Sequence, residues 1–218
     1  MTSVLTGAAA DAALEEAQRT GYRYPPEFRG FTAVMALDDD GGGAGESRVS
    51  VSVEDAGVSV EGSSGADPWA LEQIRSMVSH RLGRAYEAGD GRFPKRLVEH
   101  EGPLGALIEV DDGMRSSYRV SHGQITLVTR RPGGTRFSIA VQERTEAGAG
   151  AFLPQAFTVF YWDAEGALVA SEAFSDRYVD VGSLLLPASR RVVRADRNGV
   201  TARWVTLREH SFGEGAGQ

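Results

Sequence analysis

The chain has 218 residues, a net charge of −7 and a sequence pI of about 5.2, and it contains no cysteine. An acidic protein whose basic residues are not clustered is a poor partner for a phosphate backbone, so we expect no nucleic-acid partner. Without cysteine there is no disulfide, thiolate nucleophile or Cys-ligated zinc, and the four histidines lack the paired spacing of metal ligands. We therefore expect neither a metal nor another cofactor.

Localisation and domain count follow from what the sequence does not contain. No apolar run approaches the roughly 20 residues that span a membrane, and the first ten residues lack the basic and apolar regions of an export signal. We predict a cytoplasmic protein with no membrane span. With no repeat and no linker, a single domain over residues 1–218 is the expected organisation.

The first half of the chain contains both predicted helices. Residues 7–20 are rich in alanine and stop at Gly21, which predicts a short amino-terminal helix. The aromatic segment 22–31 contains two prolines, so we predict an ordered loop whose rings are buried. Residues 31–61 predict a three-stranded meander whose acidic, glycine-rich turn, Asp38 to Glu46, is mobile. Asp67 as cap and Pro68 at the first helical position predict a second helix over 67–82, placed as a lid.

Residues 93–212 alternate polar and apolar side chains in long runs separated by turn sequences, as in Asp196-Arg197-Asn198-Gly199. This pattern predicts an α+β fold with one large curved antiparallel β-sheet. The last strand is purely apolar on neither face, which favours an open half-barrel over a closed sandwich. We expect the few helices to cover the concave face, with a cavity between sheet and helices.

Sequence motifs for common chemistries are absent. There is no dinucleotide-binding, P-loop, nucleophile-elbow, metalloprotease or EF-hand pattern. The glycine-rich stretch 41–45 lacks the Lys-Ser/Thr of a phosphate-binding loop, so we interpret it as a hairpin end.

Two positions carry candidate acid/base groups. Glu172 lies among small and apolar residues, where a carboxyl group is costly unless paired or protonated, and this makes it the first catalytic candidate. The alternative for Glu172 is an ion pair with an arginine of an adjacent strand. His100, between Glu99 and Glu101, is the second candidate, because neighbouring carboxylates raise an imidazole pKa. Its alternative is an exposed strand end.

Aromatic and imidazole side chains form the predicted walls of a substrate site, since a flat apolar molecule would suit them. Core packing is the alternative for the aromatic residues, and interaction with the helix dipole is the alternative for the histidine at the end of the second helix. The predicted substrate-binding residues are Tyr24, His80, Tyr118, Tyr161, Tyr178 and Trp204.

The order of several short segments resembles an uncharacterised family of about this length, catalogued as a domain of unknown function and associated with cyanobacteria and photosynthetic plants. The matching segments are Gly21-Tyr22-Arg23-Tyr24, Phe28-Arg29-Gly30-Phe31-Thr32-Ala33, His80-Arg81, Ser117-Tyr118-Arg119-Val120, Phe174-Ser175-Asp176-Arg177-Tyr178 and Pro187-Ala188-Ser189-Arg190-Arg191. The resemblance covers roughly residues 12–212, and the chain departs from it around 147–153 and in the glycine-rich turn. None of these segments is catalytic, so the resemblance implies architecture.

The predicted architecture is also similar to the half-barrel of LolA-type lipoprotein carriers and to the violacein-pathway enzyme that redirects an indole-derived imine. That likeness implies a cavity for an apolar or aromatic molecule and chemistry without a cofactor. A cavity that orients two reactants beside one acid/base group can promote condensation or cyclisation, as in a Pictet-Spengler reaction.

We therefore predict a cofactor-independent enzyme of small-molecule, secondary metabolism. In that hypothesis Glu172 is the acid/base group, and His100 with Glu99 is the reserve. The alternative is a non-catalytic carrier or sequestering protein for a lipid or pigment. A structural role at protein interfaces, including a homodimer, stays open because arginine and aromatic residues are common there.

Overall fold

The computed structural model of the protein describes residues 7–40, 42–55, 57–83, 85–99 and 102–212, without the side chains of Ala44 and Glu99. The helices are α1 (Gly7–Arg19) and α2 (Pro68–Ser79), and short 3-10 turns lie at Tyr86–Ala88, Asp90–Arg92 and Pro132–Gly134. The strands are β1 (Gly30–Asp39), β2 (Ala44–Glu54), β3 (Gly57–Gly62), β4 (Lys95–Glu99), β5 (Ala106–Val110), β6 (Ser117–Ser121), β7 (Gln124–Arg130), β8 (Arg136–Glu146), β9 (Phe152–Trp162), β10 (Leu168–Val181), β11 (Leu184–Asp196) and β12 (Gly199–Ser211).

The strands form one sheet in the order β3-β2-β1-β12-β11-β10-β9-β8-β7-β6-β5-β4. The pairs β1–β12, β1–β2, β2–β3 and each consecutive pair from β4 to β9 are antiparallel. The sheet is open, because its order ends on β3 at one edge and β4 at the other. The predicted α+β fold, a large open antiparallel sheet with few helices, is confirmed.

Backbone contacts divide the chain into two compact units. In described residues, the first unit comprises 7–22, 85–173 and 194–199, and the second comprises 23–83, 174–193 and 200–212. The prediction of a single domain over the whole chain stays a prediction.

The core of the first unit lies between α1 and the sheet. Small residues on one side of α1, Ala10 and Ala17, let the helix approach the strands closely, and Leu14 between them is fully buried. Helix α1 packs mainly against β4, β6 and β7. The buried side chains of this core are Ala10, Leu14, Ala17, Leu97, Ile108, Val110, Tyr118 and Val120.

The second unit is organised around α2, whose start follows from its sequence. The side chain of Asp67 accepts a hydrogen bond from the backbone N–H of Ala70 at 3.0 Å, and Pro68 occupies the first helical turn, where no N–H is needed. The buried face of α2 consists of Ala70, Ile74, Met77 and Val78. The helix packs against β3.

Two predicted boundaries differ from the structure. Helix α2 ends at Ser79, short of residue 82, because the next backbone bonds, from Arg81 to Val78 and from Leu82 to Ser79, tighten to a three-residue spacing. In the acidic turn, strand pairing continues to Asp39 and resumes at Ala44, so the unpaired segment is shorter than predicted. Gly41, within this turn, lies outside the described residues.

Three rings of the predicted aromatic loop, Tyr24, Phe28 and Phe31, are buried in the second unit as expected, and Tyr22, which belongs to the first unit, is only half-buried. Tyr24 and Phe28 are 3% and 4% exposed, and their ring centroids stack 4.1 Å apart. The Tyr24 hydroxyl donates to the backbone carbonyl of Leu185 at 3.1 Å, which satisfies its polar group.

Candidate functional site

A row of apolar side chains crosses six strands of the first unit. The strand register aligns Leu97 with Ile108 and Ile108 with Tyr118. It then aligns Tyr118 with Val128, Val128 with Ile139, and Ile139 with Val159. Residues aligned in antiparallel strands project to the same face, and Leu97, Ile108 and Tyr118 contact the core beneath α1. We name this set the apolar row; its members are Leu97, Ile108, Tyr118, Val128, Ile139 and Val159.

The apolar row continues past the strands on which α1 mainly packs. On β8 and β9, Phe137 is aligned with Tyr161 and Val141 with Phe157, two positions on either side of Ile139 and Val159. These side chains therefore share the face of the apolar row. All four are only half-buried, unlike the core under α1. This face of β8 and β9 therefore keeps apolar and aromatic surface partly exposed.

Glu172, the first catalytic candidate, is bound by two neighbours in the first unit. Its Oε2 accepts a hydrogen bond from the Tyr161 hydroxyl at 2.7 Å, and its Oε1 pairs with Nη1 of Arg194 at 2.8 Å. Burial, and then the bond to Glu172, raise the pKa of Tyr161. The hydrogen bonds to Glu172 and Asp196 raise the pKa of Arg194. The ion pair with an arginine is the contact expected from the structural alternative, and the catalytic role of Glu172 stays a prediction.

Tyr118 belongs to a hydrogen-bonded group inside the first unit. Its hydroxyl donates to Oδ2 of Asp90 at 2.7 Å and accepts from Nη2 of Arg130 at 3.0 Å, and Gln18 of α1 also donates to Asp90. Burial and the Asp90 carboxylate raise the pKa of Tyr118, and the charge of nearby Arg130 opposes this rise. The ring packs in the core, and the hydroxyl joins α1, the Asp90 turn and β7.

The second unit contains a buried ion pair that the sequence did not single out. Asp176 is fully buried, and its two carboxylate oxygens accept from Nε and Nη2 of Arg190 at 2.8 and 2.7 Å. The Arg190 side chain is 5% exposed and also donates to Gln73 and Ser76 on α2, both at 3.3 Å. This bidentate ion pair, with the hydrogen bonds from Arg190 to α2, connects α2 to β10 and β11.

Three predicted substrate-binding residues lie around Arg81, beside that ion pair in the second unit. Arg81 donates to the Tyr178 hydroxyl at 3.4 Å, and its backbone carbonyl accepts from Tyr24 N–H at 2.8 Å. His80 precedes it, and partial desolvation with the charges of neighbouring arginines lowers the pKa of its imidazole. Arg81 is buried, and its Nε has no hydrogen-bond partner among the described residues.

The remaining predicted site residues lie elsewhere or outside the description. Trp204 is 48% exposed and borders a shallow hollow with Asp38, Asp39 and Asp40 in the second unit. His100 lies outside the described residues, and only the backbone of Glu99 is described. In the described ranges, no group of three His, Asp or Glu side chains has the geometry of a metal site.

Sequence reasoning missed Asp176, Arg190 and Arg194. A signal for Asp176 was present, because strand alternation puts it on the same face as Glu172. Alternation alone does not find the arginine partners. A signal for them was present in the short turn at Gly182 and Ser183, because a hairpin turn sets which residues of β10 and β11 are opposite each other.

Fold and site together define a class: an open antiparallel-sheet protein with an apolar surface beside one helix and polar groups that are largely bonded to one another. Within that class, the chain belongs to the family DUF3386, described as a protein of unknown function, which matches residues 5–212. The predicted resemblance to a domain-of-unknown-function family is confirmed.

Two solved structures to which the chain is similar have titles that name a lipoprotein-sorting protein domain and a LolA superfamily protein. A putative outer membrane lipoprotein-sorting protein domain from Vibrio parahaemolyticus is 10% identical at a TM-score of 0.40, over 96% of this chain and 94% of that one. A LolA superfamily protein from Nitrosomonas europaea is 13% identical at a TM-score of 0.32, over 94% and 95% of the two chains. No curated protein sequence matches the chain. In the described residues, neither helix has the length and apolar character needed to cross a membrane.

Proposed function

We propose that this protein binds an apolar or aromatic small molecule and holds it without chemical change, as a carrier or sequestering protein for a lipid or pigment. One observation carries the proposal: the apolar row extends beyond α1 onto half-buried aromatic side chains of β8 and β9. Aromatic side chains contribute large contact areas, about 150–250 Å² each, and ligand sites are lined mainly by such groups.

The polar groups at the margin of this surface favour binding over catalysis. Both carboxylate oxygens of Glu172 are occupied, one by Tyr161 and one by Arg194, and Arg194 also pairs with Asp196 at 3.0 Å. A general acid or base must reach a proton of the substrate, and a carboxylate held by two partners has to release one of them first. A bound apolar molecule would therefore meet groups that already satisfy one another.

The binding proposal is tested with a fluorescent apolar probe, 1-anilinonaphthalene-8-sulfonate, and with a fluorescent fatty acid. Phe157→Ala removes a ring on the face of the apolar row, and Phe160→Ala removes a half-buried ring from the opposite face of the same strand. We expect Phe157→Ala to weaken binding about tenfold, as expected for losing roughly 1.5 kcal/mol of apolar contact, and Phe160→Ala to leave affinity near wild type. Equal affinities in both variants, or no saturable binding by the wild-type protein, would contradict the proposal.

The second candidate is the cofactor-independent condensing or cyclising enzyme of secondary metabolism. The observation that favours it is the 2.7 Å hydrogen bond between Tyr161 and Glu172, which sets a phenol and a carboxylate beside the apolar row. Native mass spectrometry of the purified protein would identify a co-purified ligand. Conversion of that ligand by wild-type protein, lost in Glu172→Gln, would favour the enzyme; unchanged ligand in both would favour the carrier.

A further inference from the structure

A polar cleft of about 660 Å³ lies at one end of strands β4 to β7, within the first unit. The register aligns Arg96 with Glu109, Glu109 with Ser117, and Ser117 with Thr129. Each of these residues is adjacent in sequence to a member of the apolar row, so this polar set projects from the opposite face of the sheet. The cleft is therefore a different site from the apolar surface.

Two arginines in the cleft have unused bonding capacity. Arg96, on the same face, is neutralised by Glu109 at 2.5 Å, and the ammonium group of Lys95 is directed to α1, where it pairs with Asp11 at 2.7 Å. In the part of the chain that the structure describes, the side chains of Arg115 and Arg131 make no hydrogen bond or ion pair. A planar guanidinium offers several donors in a geometry that suits an oxyanion.

The turn that carries Arg115 is held rigidly. Its carboxylate anchor, Asp112, accepts from the N–H groups of Met114 and Ser116 at 3.0 and 2.9 Å and from the Ser116 hydroxyl at 2.7 Å. The N–H of Arg131 donates to the carbonyl of Met114 at 2.7 Å, which joins this turn to the end of β7. Arg115 itself has a left-handed φ of 48°. The two guanidinium groups are thus carried by backbone segments bonded to each other.

The groups that line the cleft suit a small molecule that carries both negative charge and hydroxyl groups. The net charge of −7 disfavours an extended polyanion. Asp111 also lines the cleft, and a carboxylate there can accept hydrogen bonds from ligand hydroxyls while it repels a second anionic group. The hydroxyl of Ser117 adds a donor and an acceptor on the floor.

We propose that this cleft binds a small hydroxylated phosphate monoester, such as a sugar phosphate, with the phosphate on Arg115 and Arg131 and the hydroxyls on Asp111 and Ser117. The cleft volume lies within the range of small-molecule sites, about 300–1,000 Å³. The inference does not depend on the apolar ligand of the proposed function.

Isothermal titration calorimetry at low salt tests the site with glucose 6-phosphate, inorganic phosphate and glucose. We expect glucose 6-phosphate to bind more tightly than inorganic phosphate, and glucose not to bind. Arg115→Gln and Arg131→Gln should each weaken binding about tenfold, the loss of one charge-assisted hydrogen bond. Arg197→Gln, an exposed turn arginine of the same unit, is the control and should bind as wild type.

The outcomes separate the alternatives. We expect all three arginine variants to fold, since the substituted side chains are on the surface. Their unfolding midpoints check this. No heat with glucose 6-phosphate, or equal affinity in Arg115→Gln, Arg131→Gln and Arg197→Gln, overturns the proposal. Vesicles of phosphatidylcholine with and without a phosphatidylinositol phosphate distinguish a lipid headgroup from a free metabolite. If the protein binds such vesicles through this cleft, Arg115→Gln and Arg131→Gln must each weaken that binding as they weaken binding of glucose 6-phosphate. Phe157→Ala should retain sugar-phosphate binding.

Discussion

Removing the negative charge of Asp176 should destabilise the second unit severely. Asp176→Asn keeps the shape of the side chain but leaves the guanidinium of Arg190, 5% exposed, without its counter-charge. Breaking a buried ion pair by neutralising one partner costs about 3–5 kcal/mol. Arg190 keeps its contacts to Gln73 and Ser76 and lies 5.1 Å from the ring of Phe174, so we expect the lower end, about 3 kcal/mol.

The control is a matched carboxyl-to-amide change on the same strand. Glu172→Gln breaks the pair with Arg194, whose side chain is 43% exposed against 19% for Glu172. Ion pairs that reach solvent contribute about 1 kcal/mol or less. The two variants therefore differ in how far water screens the arginine left behind and in its remaining counter-charge, since Arg194 keeps its pair with Asp196 at 3.0 Å.

Urea unfolding at pH 7 measures both variants, with an unchanged slope confirming that the same transition is followed. The double variant Asp176→Leu with Arg190→Met should recover much of the loss, because it leaves no uncompensated charge. If Asp176→Asn destabilises the protein no more than Glu172→Gln, or if the double variant is worse than Asp176→Asn, the argument from desolvation is refuted.

Two further predictions concern backbone geometry and pH. A Cβ at Gly30, where φ is +116°, would lie 1.9 Å from the carbonyl oxygen of Val51, so Gly30→Ala should cost about 2 kcal/mol or more in urea unfolding; Gly57→Ala, at φ +124° with open space around it, is the control and should cost clearly less. Burial lowers the pKa of His210, and the hydrogen bond to the Pro187 carbonyl opposes this shift. As the pH falls through about 6.5, the imidazole of the unfolded chain therefore takes up its proton before that of the folded protein does. The free energy of unfolding should thus decrease from pH 7.5 to 5.5, with a shallower slope in His210→Gln; a slope of the same size in that variant would show that other groups are responsible.

Much of the secondary structure could be predicted from local sequence. Long alternating runs separated by turn sequences were predicted over residues 93–212, and strands β4 to β12 all lie in that range, because period-two alternation ends at turn residues. The start of α2 was predicted by Asp67 and Pro68, whose effects on a helix end need no tertiary partner. The end of α2 was predicted less well, since Leu82 continues the apolar spacing beyond the point where the backbone tightens.

The amino-acid sequence alone predicted where the turns fall and which residues of one strand share a face, because these depend on neighbours a few residues away. Which carboxylate of β10 is buried follows from tertiary packing. Alternation gave Glu172 and Asp176 the same face, yet Glu172 reaches solvent beside Arg194 while Asp176 is enclosed with Arg190 under α2. Burial depends on which helix covers which part of a strand, and the local pattern does not show this. The ion pairs join consecutive strands, β10 and β11, so their register follows from the short turn at Gly182 and Ser183.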